Sequence, residues 1–165
     1  MPPLERHPLL RPLSREHHHG LLLCWRIRRD LAERTDHARV LEECRDFFHT
    51  ELLPHFAVEE EVVFPVLGGN DPLVHRAVTE HRRIARLFIL ERDPQTVLSL
   101  IEDELEAHIR FEERVLFPRV QQRATPEEME RIDEVHGQLM ATVEPVERPA
   151  PRLALRNGAR SRTER

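Results

Sequence analysis

Apolar residues recur every three to four positions along most of the chain, and few stretches alternate as strands do. Between residues 37 and 66 they fall at Val40, Leu41, Cys44, Phe47, Phe48, Leu52, Val62 and Val66. Between 95 and 122 they fall at Val97, Ile101, Leu105, Val115, Leu116 and Val120. Each set is the stripe of a helix with one buried face. Asn70-Asp71-Pro72 and Asp93-Pro94 put an acidic N-cap before a proline, whose missing N–H costs nothing at the first helical position. Thr125-Pro126-Glu127-Glu128 adds a capping box. With Gly68-Gly69, these signals predict helices over about 13–34, 37–66, 72–91 and 95–122, and a shorter one over about 126–142. Pro54 should kink the second helix, and Trp25, at helical spacing, is expected in the core.

Four long helices with short links predict an all-α fold, an antiparallel up-and-down four-helix bundle with a short fifth helix. Residues 1–142 form the expected bundle. The Pro- and Arg-rich stretch 143–165 has no sustained stripe and reads as a disordered tail.

Composition narrows the function. The chain has 165 residues, a third of them charged, and only 5% aromatic, which suits one helical domain. A net charge of -5 without a basic face argues against nucleic acid as the main partner. The opening residues lack a secretory apolar core, and no run approaches the ~18 apolar residues of a membrane span, so the expectation is a cytoplasmic protein with no membrane partner. Cys24 and Cys44 read as two free buried thiols. The eleven histidines are many for this length.

Residues 55–65 read HFAVEEEVVFP, and residues 108–118 read HIRFEERVLFP. The histidine, both glutamates, the valine, the phenylalanine and the proline coincide in register. Residues i and i+4 share a helix face, so His55 with Glu59, and His108 with Glu112, each offer an imidazole and a carboxylate to one region. Phe48, Leu52, His55, Glu59, Val62 and Val66 follow one stripe; Ile101, Leu105, His108, Glu112 and Val115 follow another. Both pairs interrupt a buried seam. A buried carboxylate without compensation costs several kcal/mol, against about 5–15 kcal/mol for a whole domain. A bound cation removes that cost.

His81 lies at the centre of the third helix's stripe, Val74, Val78, His81, Ile84, Ala85 and Phe88. The first helix opens on His17, His18 and His19. The phase of His17 meets Leu10, Leu13, Leu21, Cys24 and Leu31, and Glu16-His17 echoes Glu80-His81, which makes His17 the first choice. His18 competes through Leu21, Leu22 and Trp25. His19 shares its phase with arginines and should face water. His7, His37, His75 and His136 are expected to be solvated, and His49 to be exposed or behind the ligands.

The resulting set is His17, His55, Glu59, His81, His108 and Glu112. Mixed imidazole and carboxylate donors suit iron, manganese or zinc better than calcium or magnesium. Six ligands from four helices, two of them carboxylates able to bridge, predict a dinuclear centre with positions left for water or a small ligand.

These motifs resemble the hemerythrin-like, or HHE cation-binding, family over about residues 13–121. They include the histidine in LSREHHHGLL, HFAVEEEVVFP, EHRRI and HIRFEERVLFP. The resemblance implies two iron ions, with Glu59 and Glu112 as bridges and His17, His55, His81 and His108 as terminal ligands. Classical oxygen-carrying hemerythrins pair two histidines four apart on the third helix and close with His-x-x-x-x-Asp on the fourth. Here Ala77 stands four before His81, and Glu112 follows His108 at i+4. The chain therefore looks more like the bacterial four-histidine, two-glutamate branch. That branch implies sensing of oxygen or nitric oxide, iron handling or repair of damaged iron centres; the expectation here is a monomer or homodimer that binds or senses oxygen, nitric oxide or peroxide, or handles iron. The rival is a di-iron enzyme that reduces peroxide or nitric oxide; with no Tyr in the chain, no proton or electron partner stands out, so a binding role is preferred.

Overall fold

The computed structural model describes residues 5–33 and 35–143. Every regular element among them is helical, with no strand, and five helices follow one another. A 3-10 turn at Pro8–Leu10 leads into α1 (Arg11–Ala32). The second helix, α2, runs continuously over 37–66, α3 over Pro72–Phe88, α4 over 94–123 and α5 over Pro126–Thr142. The tail expected from 143 onward lies outside the described residues, apart from Val143.

The expected caps at Asp71, Asp93 and Thr125 are formed, and Asp36 caps the second helix as well. Asp36, Asp71 and Asp93 each accept a backbone N–H of the following turn, from Arg39, Leu73 and Thr96. At α5, Thr125 Oγ1 accepts from Glu128 N–H at 3.2 Å, while Glu128 accepts from Thr125 N–H at 2.8 Å. Gly68 takes a φ of 89° in the link between α2 and α3, a backbone state that costs glycine little.

Proline shapes α2 and α4. The residue before each of Pro54, Pro65 and Pro118 sends its N–H back five positions: Leu53 to Phe48, Phe64 to Glu59, and Phe117 to Glu112. A proline ring crowds the carbonyl four residues before it, and the wider π turn makes room for it. The helix thus passes through Pro54 by a π turn at Phe48–Leu52. Two further π turns, Glu59–Val63 and Glu112–Leu116, begin on the two glutamates of the repeat.

Each π turn adds a residue and slips the buried face by one position. Beyond Glu59 the fully buried residue is Val63, with Val62 half-buried; beyond Glu112 it is Leu116, while Val115 is 45% exposed. The sequence stripes through Val62 and Val115 assumed an unbroken 3.6-residue period, and the prolines break it. Trp25 also departs from expectation: it is 55% exposed, with the Arg29 guanidinium 5.3 Å from its ring.

Helix α1 packs on α4 and α2, α3 packs on α4, and α5 lies against α2 and the 3-10 turn. The contact of α1 with α4 is close at Gly20, where a Cβ would stand 2.6 Å from Ile109 Cδ1. Two apolar clusters fill the interior. One is built on Cys24, Ile27, Leu41, Phe48, Leu52, Phe88, Ile101 and Leu105. The other is built on Leu10, Leu13, Val58, Val63, Phe64, Ala77, Leu116, Phe117 and Ile132. Cys24 and Cys44 are free and buried, and burial pushes both thiols up to about 12. No helix among the described residues is long and apolar enough to cross a membrane.

The one-residue slip is open to measurement. Leu116→Ala should cost about 2–5 kcal/mol in urea unfolding, whereas Val115→Ala should stay within about 0.5 kcal/mol of the parent. Comparable losses would restore the unbroken stripe.

Candidate metal centre

Between the two apolar clusters lies a layer of buried polar side chains: His17, His55, Glu59, His81, His108 and Glu112. All six residues singled out from the sequence come together there. His17 is buried within the layer, whereas His18 and His19 are exposed. Helix periodicity explains the choice, because His17 continues the inward face through Leu13 and Cys24.

Their ligand atoms fall into two quartets, each with all its atoms within 4.8 Å of one another: His17, His55, Glu59 and Glu112, and Glu59, His81, His108 and Glu112. The two glutamates belong to both. Glu59 Oε1 lies 3.0 Å from His55 Nε2 and 3.3 Å from His17 Nε2, and its Oε2 lies 3.2 Å from His81 Nε2. Glu112 Oε2 lies 3.0 Å from His17 Nε2, and its Oε1 lies 3.2 Å from His108 Nε2 and 3.5 Å from His81 Nε2. Two donors each about 2.1 Å from one cation, at the angles of ordinary coordination, stand roughly 3.0–3.4 Å apart. The observed separations match that spacing.

Four Nε2 atoms and all four carboxylate oxygens of Glu59 and Glu112 are buried without a hydrogen-bond partner. Orphaned buried polar atoms are rare and costly, and eight in one layer are what bound metal ions would satisfy. The donor set fits that group.

The opposite face of each ring is fully provided for. Glu16 Oε2 lies 2.6 Å from His55 Nδ1, Glu60 Oε1 lies 2.8 Å from His81 Nδ1, Glu80 Oε2 lies 2.8 Å from His108 Nδ1, and Glu113 Oε1 lies 2.7 Å from His17 Nδ1. These bonds pass from helix to helix in a closed circuit, α1 to α2, α2 to α3, α3 to α4 and α4 back to α1. An ionised carboxylate only accepts, so each Nδ1 carries the proton and donates. In the neutral ring that leaves the Nε2 lone pair facing the layer, the tautomer a metal requires.

Sequence reasoning did not assign this outer ring. Its signal was nonetheless present: Glu16 and Glu80 directly precede His17 and His81, and Glu60 and Glu113 directly follow Glu59 and Glu112. His136 was also misjudged as solvated. It is half-buried, with Nε2 2.5 Å from Glu16 Oε1. The other expected bystanders are mixed. His49 and His75 are exposed, the latter bonded to the Gly69 carbonyl. His7 and His37 are half-buried, and His7 Nδ1 accepts from the Leu9 N–H.

Electrostatics follow from the packing. Burial pulls the His17 and His81 pKa values down, but contacts with Glu112 and other carboxylates more than reverse this and hold both well above the ordinary 6.5. His55 and His108 are raised in the same way, against burial, chiefly by Glu59 and Glu112. Burial opposes ionisation of Glu16, yet His136 and His55 carry its carboxyl down to about 2. Glu113 reaches about 2 against the same penalty through His17, Ser14 and Arg6.

A cavity of about 10 Å³, room for about one water, borders the layer at His17, His55, His108 and Glu112. Leu52, Phe56, Leu105 and Ile109 supply its apolar wall, with Glu16 and Glu51 beside them.

The fold and site define a helical bundle with a buried histidine–glutamate layer that could hold metal ions. The family model described as the hemerythrin HHE cation binding domain matches residues 9–93. The chain belongs to that family, whose members bind metal ions, commonly iron. The matched span contains His17, His55, Glu59 and His81; His108 and Glu112 join them through the geometry above. No curated protein and no solved structure matches the chain.

In the metal-free protein, the raised imidazoles stabilise the fold below 6.5, their unfolded value, and this contribution is lost as pH rises through the folded values. The depressed Glu16 and Glu113 stabilise above 4.5, and theirs is lost as pH falls towards about 2. Thermal melting of metal-free protein should therefore peak between about 4.5 and 6.5. A bound divalent ion replaces the imidazole protons, so loading should release protons and abolish the alkaline decline. A pH-independent melting profile of the metal-free protein would contradict this.

Proposed function

We propose that the protein binds two iron ions in one bridged centre and uses it to bind or sense a small redox-active molecule: oxygen, nitric oxide or peroxide. His17 and His55 would hold one ion, His81 and His108 the other, and Glu59 and Glu112 would bridge them. The observation that carries this reading is the sharing of both glutamates by two quartets whose eight inward atoms have no protein partner. Iron, when bound, supplies open coordination positions and a change of oxidation state; manganese and zinc suit the same donors. The chain supplies the rest. Four carboxylates fix the imidazole tautomers, Phe56 stacks on His81 at 3.8 Å, and Phe117 lies 5.0 Å from His17.

The cavity supports a very small ligand. With room for about one water, it suits a diatomic molecule or peroxide and excludes organic substrates. Its position favours access from the side of the layer lined by His17, His55 and His108. This reading further takes α1 to α4 as an antiparallel up-and-down bundle over residues 1–142, as the short links suggest. It describes a cytoplasmic monomer or homodimer without nucleic-acid or membrane partners, in keeping with the charge and composition.

Purified protein should hold two irons per chain and show absorption bands that respond to oxygen or nitric oxide. Glu112→Gln should lower the metal content by at least one ion per chain. Zinc alone, or no metal, would sink the proposal, and sustained turnover of peroxide or nitric oxide would move the protein to the enzyme class. Ile109→Phe, which fills the cavity, should abolish the response to gas while metal content stays at the parent level; an unchanged response would place ligand access elsewhere.

A further inference from the structure

The outer ring of carboxylates has a two-fold pattern, and equivalent members of it differ in their second partners. Glu16 on α1 and Glu80 on α3 are equivalent: each directly precedes one histidine of the layer, and each accepts from the Nδ1 of another on the following helix, His55 or His108. Their second partners differ. Glu80 is held by Arg76, four residues earlier on its own helix, at 2.8 Å. Glu16 is held by His136 of α5, at 2.5 Å, from a helix that has no counterpart in the repeat.

The placement of His136 is firm. Met129, Ile132 and Val135 on α5 are buried, and Met129 and Ile132 belong to the apolar cluster beside the layer. His136 is one residue past Val135, and its side chain is only 15% exposed. Glu16 offers one oxygen to each histidine, so the chain His136 Nε2, Glu16 Oε1, Glu16 Oε2, His55 Nδ1 has no unfilled step. With His136 in place, the Glu16 carboxylate cannot rotate without breaking a bond at both ends. The His55 ring is thereby fixed with Nε2 towards Glu59.

We propose that His136 is a positioning residue for the metal centre: by anchoring Glu16 it holds His55 in its ligating orientation, so that α5 controls how tightly the His17–His55 half keeps its ion. The inference rests on the two-metal reading above. It adds that the two halves differ in retention, one being braced by the fifth helix and the other within its own helix. Partners behind a ligating histidine typically change metal affinity by about 10–100-fold.

The test uses the full chain loaded with cobalt(II), whose visible bands report ligand geometry, followed by release to excess chelator. In His136→Ala the first ion should leave about 10–100-fold faster than in the parent, with altered cobalt bands. His136→Gln, whose amide N–H can still donate to Glu16, should restore both. The metal-free His136→Ala protein should melt below the parent only by what the His136–Glu16 bond contributes, and metal-free His136→Gln should melt close to the parent. Parent-like release and bands in His136→Ala would overturn the inference while leaving the two-metal reading intact. Equal loss in His136→Ala and His136→Gln, together with an equally lowered metal-free melting temperature in both, would also overturn it and assign His136 to helix docking. Failure of the parent itself to bind cobalt or iron would overturn the two-metal reading, and the inference with it.

Discussion

Six side chains are held in the dry interior with their inward atoms facing one another, and everything else in the molecule accommodates that. A carboxylate moved from water into protein loses several kcal/mol of solvation even after relaxation, and Glu59 and Glu112 are both fully buried. Imidazolium protons can meet the demand until pH rises through the raised imidazole values, and bound cations can meet it in their place. The protein interior offers neither an arginine nor a backbone donor to these oxygens. Stability is therefore tied to an occupant, whether proton or metal, in a layer flanked on either side by apolar clusters.

Backbone and side-chain chemistry meet at the same residues. Glu59 and Glu112 present carboxylates to the layer while their carbonyls take the five-residue hydrogen bonds of the π turns. The prolines six positions later enforce those turns irrespective of any bound ion. The geometry of the two shared carboxylates is set by covalent constraint, which reduces what a metal would have to reorganise on binding. A flexible site with the same residues would have to order them at the expense of affinity.

Much of this was legible from the sequence, and the failures have causes. Five helices, their caps and the six inward residues follow from periodicity, capping chemistry and a repeated motif. Val62 and Val115 were assigned to the buried face because the periodic template assumes an α-helix throughout. The prolines at 65 and 118 stand in the repeat itself, and each adds a residue to the turn before it, which a fixed period does not contain. Trp25 was assigned by its spacing alone, which cannot distinguish the flank of a stripe from its centre. His136 could not be found from any spacing, since it meets Glu16 across 120 positions of sequence. The outer carboxylates lay between these extremes, each one residue from a partner already identified, but their targets lie on the neighbouring helix and only the fold reveals them.

The closed circuit of carboxylates has a compositional consequence. Helices α1 and α2 carry Glu-His and then His-x-x-x-Glu-Glu; helices α3 and α4 carry the same pair of words in the same order. Every histidine and every carboxylate of both shells belongs to one of these two hairpins. A single two-helix unit bearing that text would, paired with an identical copy about a two-fold axis, contain all the donors of the site. The 165-residue chain is thus chemically a fused homodimer, and its one-chain form is what permits the two halves to differ, through Arg6, Ser14 and His136 on one side and Arg76 on the other.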